Sequence, residues 1–263
     1  MIRVTFDSNV WRNIASPNQF PKDQLFQTYQ KINEFIQKKK MLPCLAETVF
    51  TLEAVKKTNR RAFLESYEPE ITTSAQETGD GQIKISMVIK PKANVHPGNN
   101  PYLSAHLQDA LQIGFKLLHQ PRLARVKNPD ILEEWFLVDN DIPIEERQKK
   151  FECLLEIESR GCGISHIKNI GNNFSNGQHW LDGIKNAPTS EDVNIAKAVA
   201  EWADGDSVAA HIAYDNRYFC TKDQGKNTAS NLILSKTNKQ WLTSVYNVEF
   251  VTPIQLEERI IQE

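Results

Sequence analysis

Ile2-Arg3-Val4-Thr5-Phe6-Asp7-Ser8-Asn9 reads as a short buried strand that stops at three side chains favouring turns and helix starts. After Pro21, Leu25, Phe26, Tyr29, Ile32, Phe35 and Ile36 recur at three- and four-residue spacing, which predicts an amphipathic helix fading into Lys38-Lys39-Lys40. Residues 41–45 supply a second apolar strand. Glu47, Val49, Phe50, Leu52, Ala54 and Val55 then continue as a helix toward Lys56-Lys57 and Arg60-Arg61. Strand then helix, twice over, implies an α/β fold with a parallel twisted sheet flanked by helices. In such folds the functional groups are expected at the carboxyl ends of the strands.

The alternation breaks near Ser66. Residues 71–74 and 83–89 alternate like strands around Gly79-Asp80-Gly81, the pattern of a hairpin. Helical patterns follow at 105–119, 131–138 and 145–159, before a run rich in Gly and Asn at 161–177. Residues 66–187 are therefore expected to form a hairpin-plus-helical insertion or lid within an α/β domain made of 1–65 and 188–263. Regular structure resumes at Thr189-Ser190-Glu191-Asp192, a helix start, and Asp206 is expected to open a further helix carrying Val208, Ala209, Ile212 and Ala213. Residues 218–221 read as a strand running into Lys222-Asp223, and residues 248–251 as another before Pro253.

Asp7, Glu47, Asp206 and Asp223 thus sit where this folding pattern brings strand and helix ends together. Taken singly, Asp7 and Asp206 read as helix caps and Glu47 as a first-turn acid. Taken together, they offer the hard oxygen ligands that Mg²⁺ or Mn²⁺ requires for phosphodiester hydrolysis. Glu53 competes with Glu47 but is expected to be solvated, and Asp204 competes with Asp206. Ser8, Asn9 and Thr221 are placed to orient the acids. Arg217, Lys222 and Lys226 are the cations expected closest to them. Lys56, Lys57, Arg60 and Arg61 read first as a solvated helix end and alternatively as RNA contacts, and Arg122, Arg125 and Lys127 as RNA contacts from the insertion.

The order strand-Asp7-Ser8-Asn9, strand-Glu47, Asp206-Ser207-Val208-Ala209-Ala210, Phe219-Cys220-Thr221-Lys222-Asp223 and Val248-Glu249-Phe250-Val251-Thr252-Pro253 is similar to the PIN-domain ribonuclease family. The likeness covers about residues 1–60 and 190–255. It implies a metal-dependent endoribonuclease with Asp7, Glu47, Asp206 and Asp223 as ligands of Mg²⁺ or Mn²⁺, and RNA as substrate. A DNA-cleaving relative, or an inactive module of the same fold that binds nucleic acid or serves as a scaffold, remains open, as does an inhibitory protein partner.

Composition narrows the field less. Lys+Arg 31 against Asp+Glu 33 gives a net charge of −2, so no global basic field advertises nucleic acid. No apolar run approaches membrane-span length and no signal-peptide layout is visible, so a soluble cytoplasmic protein is expected. The six histidines lack metal-site spacing, no phosphate-binding P-loop exists, and Cys44, Cys153, Cys162 and Cys220 show no zinc or redox pairing.

Overall fold

The computed structural model describes residues 1–66, 69–78, 82–91, 101–120, 131–138, 140, 142–223 and 231–262. In chain order its first elements are β1 (Ile2–Phe6), α1 (Trp11–Ala15), α2 (Phe26–Gln37) and β2 (Met41–Ala46). A π-helical turn at Val49–Glu53 follows, then α3 (Arg60–Ser66), β3 (Pro69–Glu77), β4 (Ile83–Pro91), α4 (Pro101–Ile113) and β5 (Lys116–Leu118). The remainder comprises α5 (Ile144–Lys150), α6 (Cys153–Ser159), α7 (Ser165–Phe174), α8 (Trp180–Asn186), α9 (Asp192–Ala213), β6 (Tyr218–Cys220), α10 (Lys236–Tyr246), β7 (Glu249–Val251) and α11 (Pro253–Gln262).

Five strands form one sheet in the order β5-β2-β1-β6-β7, and every neighbouring pair is parallel. The chain starts in the middle, winds outward through β2 to β5, then returns to the other side of β1 through β6 and β7. That reversal makes the β1/β6 boundary a topological switch point, where loops leaving the two strands part and open a crevice.

Strand periodicity assigns the two faces. Val4, Phe6, Leu45, Tyr218 and Cys220 point into a core with Trp11, Ile14, Tyr29, Ile32, Leu256 and Ile260 from α1, α2 and α11. The alternate residues face α9: Cys44, Ala46 and Leu118 pack on Ala210, Ala213 and Tyr214, while Phe219 packs on Val208 and Ala209. Small alanines along α9 let the helix lie close to the sheet, a fit that bulkier side chains would force apart. The α9 layer is completed by α3, α5, α6, α7 and α8, with Trp202, Ile195 and Val199 buried against Leu52, Phe63, Ile167 and Ile184.

The structure departs from the sequence pattern in five places. The helix expected over 131–138 is reduced to a 3-10 turn at Glu133–Trp135, after which Phe136 bridges Leu117 of β5. The helix expected over 105–119 stops at Ile113, because Gly114 takes φ +111 and Phe115 N–H turns back to Ala110 O, and Lys116–Leu118 becomes an edge strand of the central sheet. The run 161–177 contains α7, and its Gly171 is a packing residue: a Cβ on Gly183 of α8 would stand 1.7 Å from Gly171 O. Residues 145–159 form two helices instead of one. Finally, α9 is continuous for 22 residues, so Asp206 lies inside a helix and opens none.

The hairpin takes the expected form, β3 pairing antiparallel with β4 from Pro69↔Pro91 to Glu77↔Ile83. It stands clear of the core, leaving Ile83, Ile85 and Met87 exposed. Arg122, Arg125, Lys127, Lys226 and the Gly79-Asp80-Gly81 turn lie outside the described residues. Among the described residues, no helix is long and apolar enough to cross a membrane.

Candidate active site

Asp7 follows β1 at the switch point, and the surrounding backbone fixes it firmly. Its Oδ1 accepts Ser8 N–H at 2.6 Å, and its Oδ2 accepts Asn9 Nδ2 at 2.8 Å and the Thr221 hydroxyl at 2.5 Å. Thr221 leaves β6 beside it, and Asn9 Oδ1 in turn receives Lys222 N–H at 3.1 Å. Ser8, Asn9 and Thr221 thus bind the two strand ends into one loop platform. Asp223 follows two residues later, its N–H donated to Thr221 Oγ1 at 3.0 Å.

Two further acids complete the group. Glu53, at the end of the π-helical turn, accepts a hydrogen bond from the Ser8 side chain and feels the charge of Asp7. Asp204, on α9, feels Asp7, Glu53, Glu201 and Asp223. Burial and these like charges push three carboxyls upward: Glu53 to about 7, Asp204 well above the usual carboxylate range, and Asp7 also upward, with Thr221, Ser8 and Lys239 opposing by favouring its charged form. Asp204 and Glu53 nonetheless keep part of their surface open, as residues lining a crevice do.

One cation is built into the group. Lys239, on α10, donates to the Asp223 carbonyl oxygen and lies close enough to Asp223 and Asp7 for their charge to favour its ammonium form, while burial pulls its pKa down. The turn carrying Glu53 is held from behind by Arg60. Its buried guanidinium donates to Glu53 O at 2.8 Å, Val55 O at 3.2 Å and Ala196 O at 2.5 Å, tying the turn to α9.

The four acids expected from sequence are therefore divided between two places. Asp7 and Asp223 meet at the switch point. Glu47 instead accepts Gln120 N–H at 2.8 Å and stands 3.9 Å from His119 Nδ1, at the ends of β2 and β5. Asp206 is buried beside that second place, its main-chain oxygen accepting Gln120 Nε2 at 2.6 Å. The reason is helical geometry. Residues two apart on a helix diverge by about 200°, so only one acid of Asp204-Gly205-Asp206 can face β1 and β6. The face carrying His211, whose Nδ1 lies 3.0 Å from Thr5 Oγ1 of β1, is the face of Asp204 seven residues earlier. Asp206 shares its face with Ala210 and Ala213, which lie over β2 and β5.

Glu53, expected to be solvated, joins the site because the π-helical turn after β2 brings it around to Ser8. Arg217, expected near the acids, precedes β6, and its N–H pairs with Arg3 O at the amino ends of the strands, away from the acids. Lys222 turns away to Asp23, 3.6 Å distant, over the Tyr29 ring.

The carboxylates interact without converging on a point: among the described residues, no group of three or more His, Cys, Asp or Glu side chains is placed to hold a metal ion as it stands. The donor chemistry nonetheless suits a hard divalent cation, being all carboxylate oxygen with charge repulsion that such a cation would relieve. No protein-family model, curated protein or solved structure matches the chain.

Proposed function

We propose that the protein is a metal-dependent nuclease of PIN-like type that hydrolyses RNA phosphodiester bonds, with Asp7, Glu53, Asp204 and Asp223 as the ligand set for Mg²⁺ or Mn²⁺. The observation carrying this reading is the gathering of four acids at the switch point of a parallel sheet, three with pKa values raised by burial and mutual repulsion. A protein that keeps such a group without using it bears a cost in stability. When bound, Mg²⁺ or Mn²⁺ supplies the positive charge that stabilises a phosphate under attack and acidifies an attacking water.

The chain's own residues hold the geometry. Asn9, Thr221 and Ser8 N–H aim the Asp7 oxygens and keep them from rotating, while the Ser8 side chain orients Glu53. Arg60 fixes the backbone of the Glu53 turn, and Lys239 places an ammonium beside Asp7 and Asp223. Carboxylates of this kind act on the phosphate and do not read the sugar, so the same site suits DNA, and the RNA preference comes from the family resemblance alone.

Lys239 favours a second reading, in which an internal ammonium takes the place of a metal and the protein binds nucleic acid without cutting it. One experiment separates them: the purified protein is incubated with end-labelled single-stranded RNA and the matching DNA in Mg²⁺, in Mn²⁺ and in chelator. The nuclease reading expects cleavage with metal, none in chelator, and none by Asp7→Asn. Intact strands under every metal condition would refute it.

A further inference from the structure

Beside the acids lies a cleft of about 240 Å³ whose lining includes Ser8, Arg12, Glu53, Lys56, Lys57 and Arg60. Two of these, Ser8 and Glu53, belong also to the acidic group, so the cleft opens directly onto it. Of the four cations expected in sequence to form one solvated run, two are consumed by structure. Arg60 holds three carbonyl oxygens, and Arg61 bonds Glu65, Asp192 and the Ala187 carbonyl. Lys56 and Lys57 are exposed and, among the described residues, have no ion-pair partner; Arg12 acts on Glu53 only through space.

We infer that this cleft seats the phosphate backbone of the strand flanking the bond to be cut, with Arg12, Lys56 and Lys57 as its contacts. This rests on the nuclease reading above. Three cations beside a cluster of acids would be wasteful for a neutral or cationic ligand, whereas a polyanion approaching four carboxylates needs them to offset repulsion. Among the described residues the cleft offers no exposed aromatic surface, since its Trp11 is 1 % exposed. Its described lining therefore has charge to hold phosphates and no ring on which to stack a base, so its contribution to binding is independent of sequence.

The test measures binding of a fluorescein-labelled single-stranded RNA oligonucleotide of mixed sequence by anisotropy, in chelator, over a salt series. For single strands each phosphate contact contributes about 0.7 to the slope of log affinity against log salt. Replacing Lys56 and Lys57 by Ala is expected to lower its magnitude by about 1.4, and Arg12→Ala by about 0.7 more, equally for oligonucleotides of unrelated sequence. The double variant Lys38→Ala, Lys40→Ala, with the same charge change at the far edge of the sheet, is expected to leave the slope unaltered. An unchanged slope in the Lys56, Lys57 variant, or an equal fall in the control, overturns the inference. So does polyglutamate binding that depends on these lysines while RNA binding does not, which would assign the cleft to an acidic protein. If the slope falls as expected but no strand is cut in Mg²⁺ or Mn²⁺, the cleft stands and the nuclease reading fails.

Discussion

Glu53→Gln separates a used acid from an ornamental one. Glu53 titrates near 7 in the folded chain against an ordinary 4.5, because burial and then the charge of Asp7 disfavour its ionised form. The folded state holds a proton that the unfolded chain releases between those values. The associated stability is therefore full below pH 4.5 and lost as pH rises through 7. The gap, at roughly 1.4 kcal/mol per pH unit, amounts to about 3 kcal/mol. Glutamine keeps the shape and can still accept from Ser8, while Arg60 grips only the main-chain oxygen of residue 53. In chelator at about pH 8.5 the variant is expected to melt about 5 °C above the wild type, given the unfolding entropy of a chain this long. That gain should shrink to nothing by about pH 4, and Mg²⁺ should raise the wild-type midpoint more than the variant's. Scanning calorimetry across pH, with and without Mg²⁺, reads all three. A variant that melts lower at high pH, or a difference that does not change with pH, would refute the account of Glu53.

Asp204→Asn is expected to abolish metal-dependent cleavage while Asp206→Asn leaves most of it, since only the former shares the face of α9 that lies over β1 and β6; a nuclease assay with both variants that gives the reverse order would move the site to the β2/β5 side. Asp7→Asn is expected to lose cleavage without loss of melting temperature in chelator, because the change removes one charge from a crowded group. Gly183→Ala is expected to cost at least about 2 kcal/mol in denaturant unfolding, because its Cβ would lie 1.7 Å from Gly171 O and α7 and α8 would have to separate. Cleavage per folded molecule should be unaffected by that last change.

The parallel sheet was legible because β1, β2, β6 and β7 are each a short apolar run bounded by turn residues, and the Asp7 loop because polar residues follow a strand directly; the strand order was not, since it depends on tertiary pairing. β5 was hidden by helical periodicity running on through Phe115, and Gly114 was the one mark of the break. The α7 helix was hidden because Gly171 and the asparagines around it carry turn propensity, while the need for a glycine there arises from Trp180, six positions beyond the helix end. Of the acids, Asp7 and Asp223 could be read from strand ends. The choice of Glu53 over Glu47, and of Asp204 over Asp206, depends on helix phase. That phase is set by a π-helical turn and by which face of α9 the sheet accepts, and sequence spacing alone left both open.

β1 stands at the centre of the sheet, yet its neighbour β6 arrives far later: Thr221 lies 214 positions beyond the Asp7 it holds. A ribosome adding 5–20 residues per second needs roughly ten to forty seconds to supply that partner. Until then one edge of β1 has no strand beside it, a stretch of open backbone that can pair with a foreign strand. Asp7 and Glu53 are made well before Asp204 and Asp223, so until Asp223 emerges the growing chain carries only half of the acidic group. On the proposed nuclease reading, a chain arranged in this order completes its acids, and so its capacity to cut, only after this long-range loop closes.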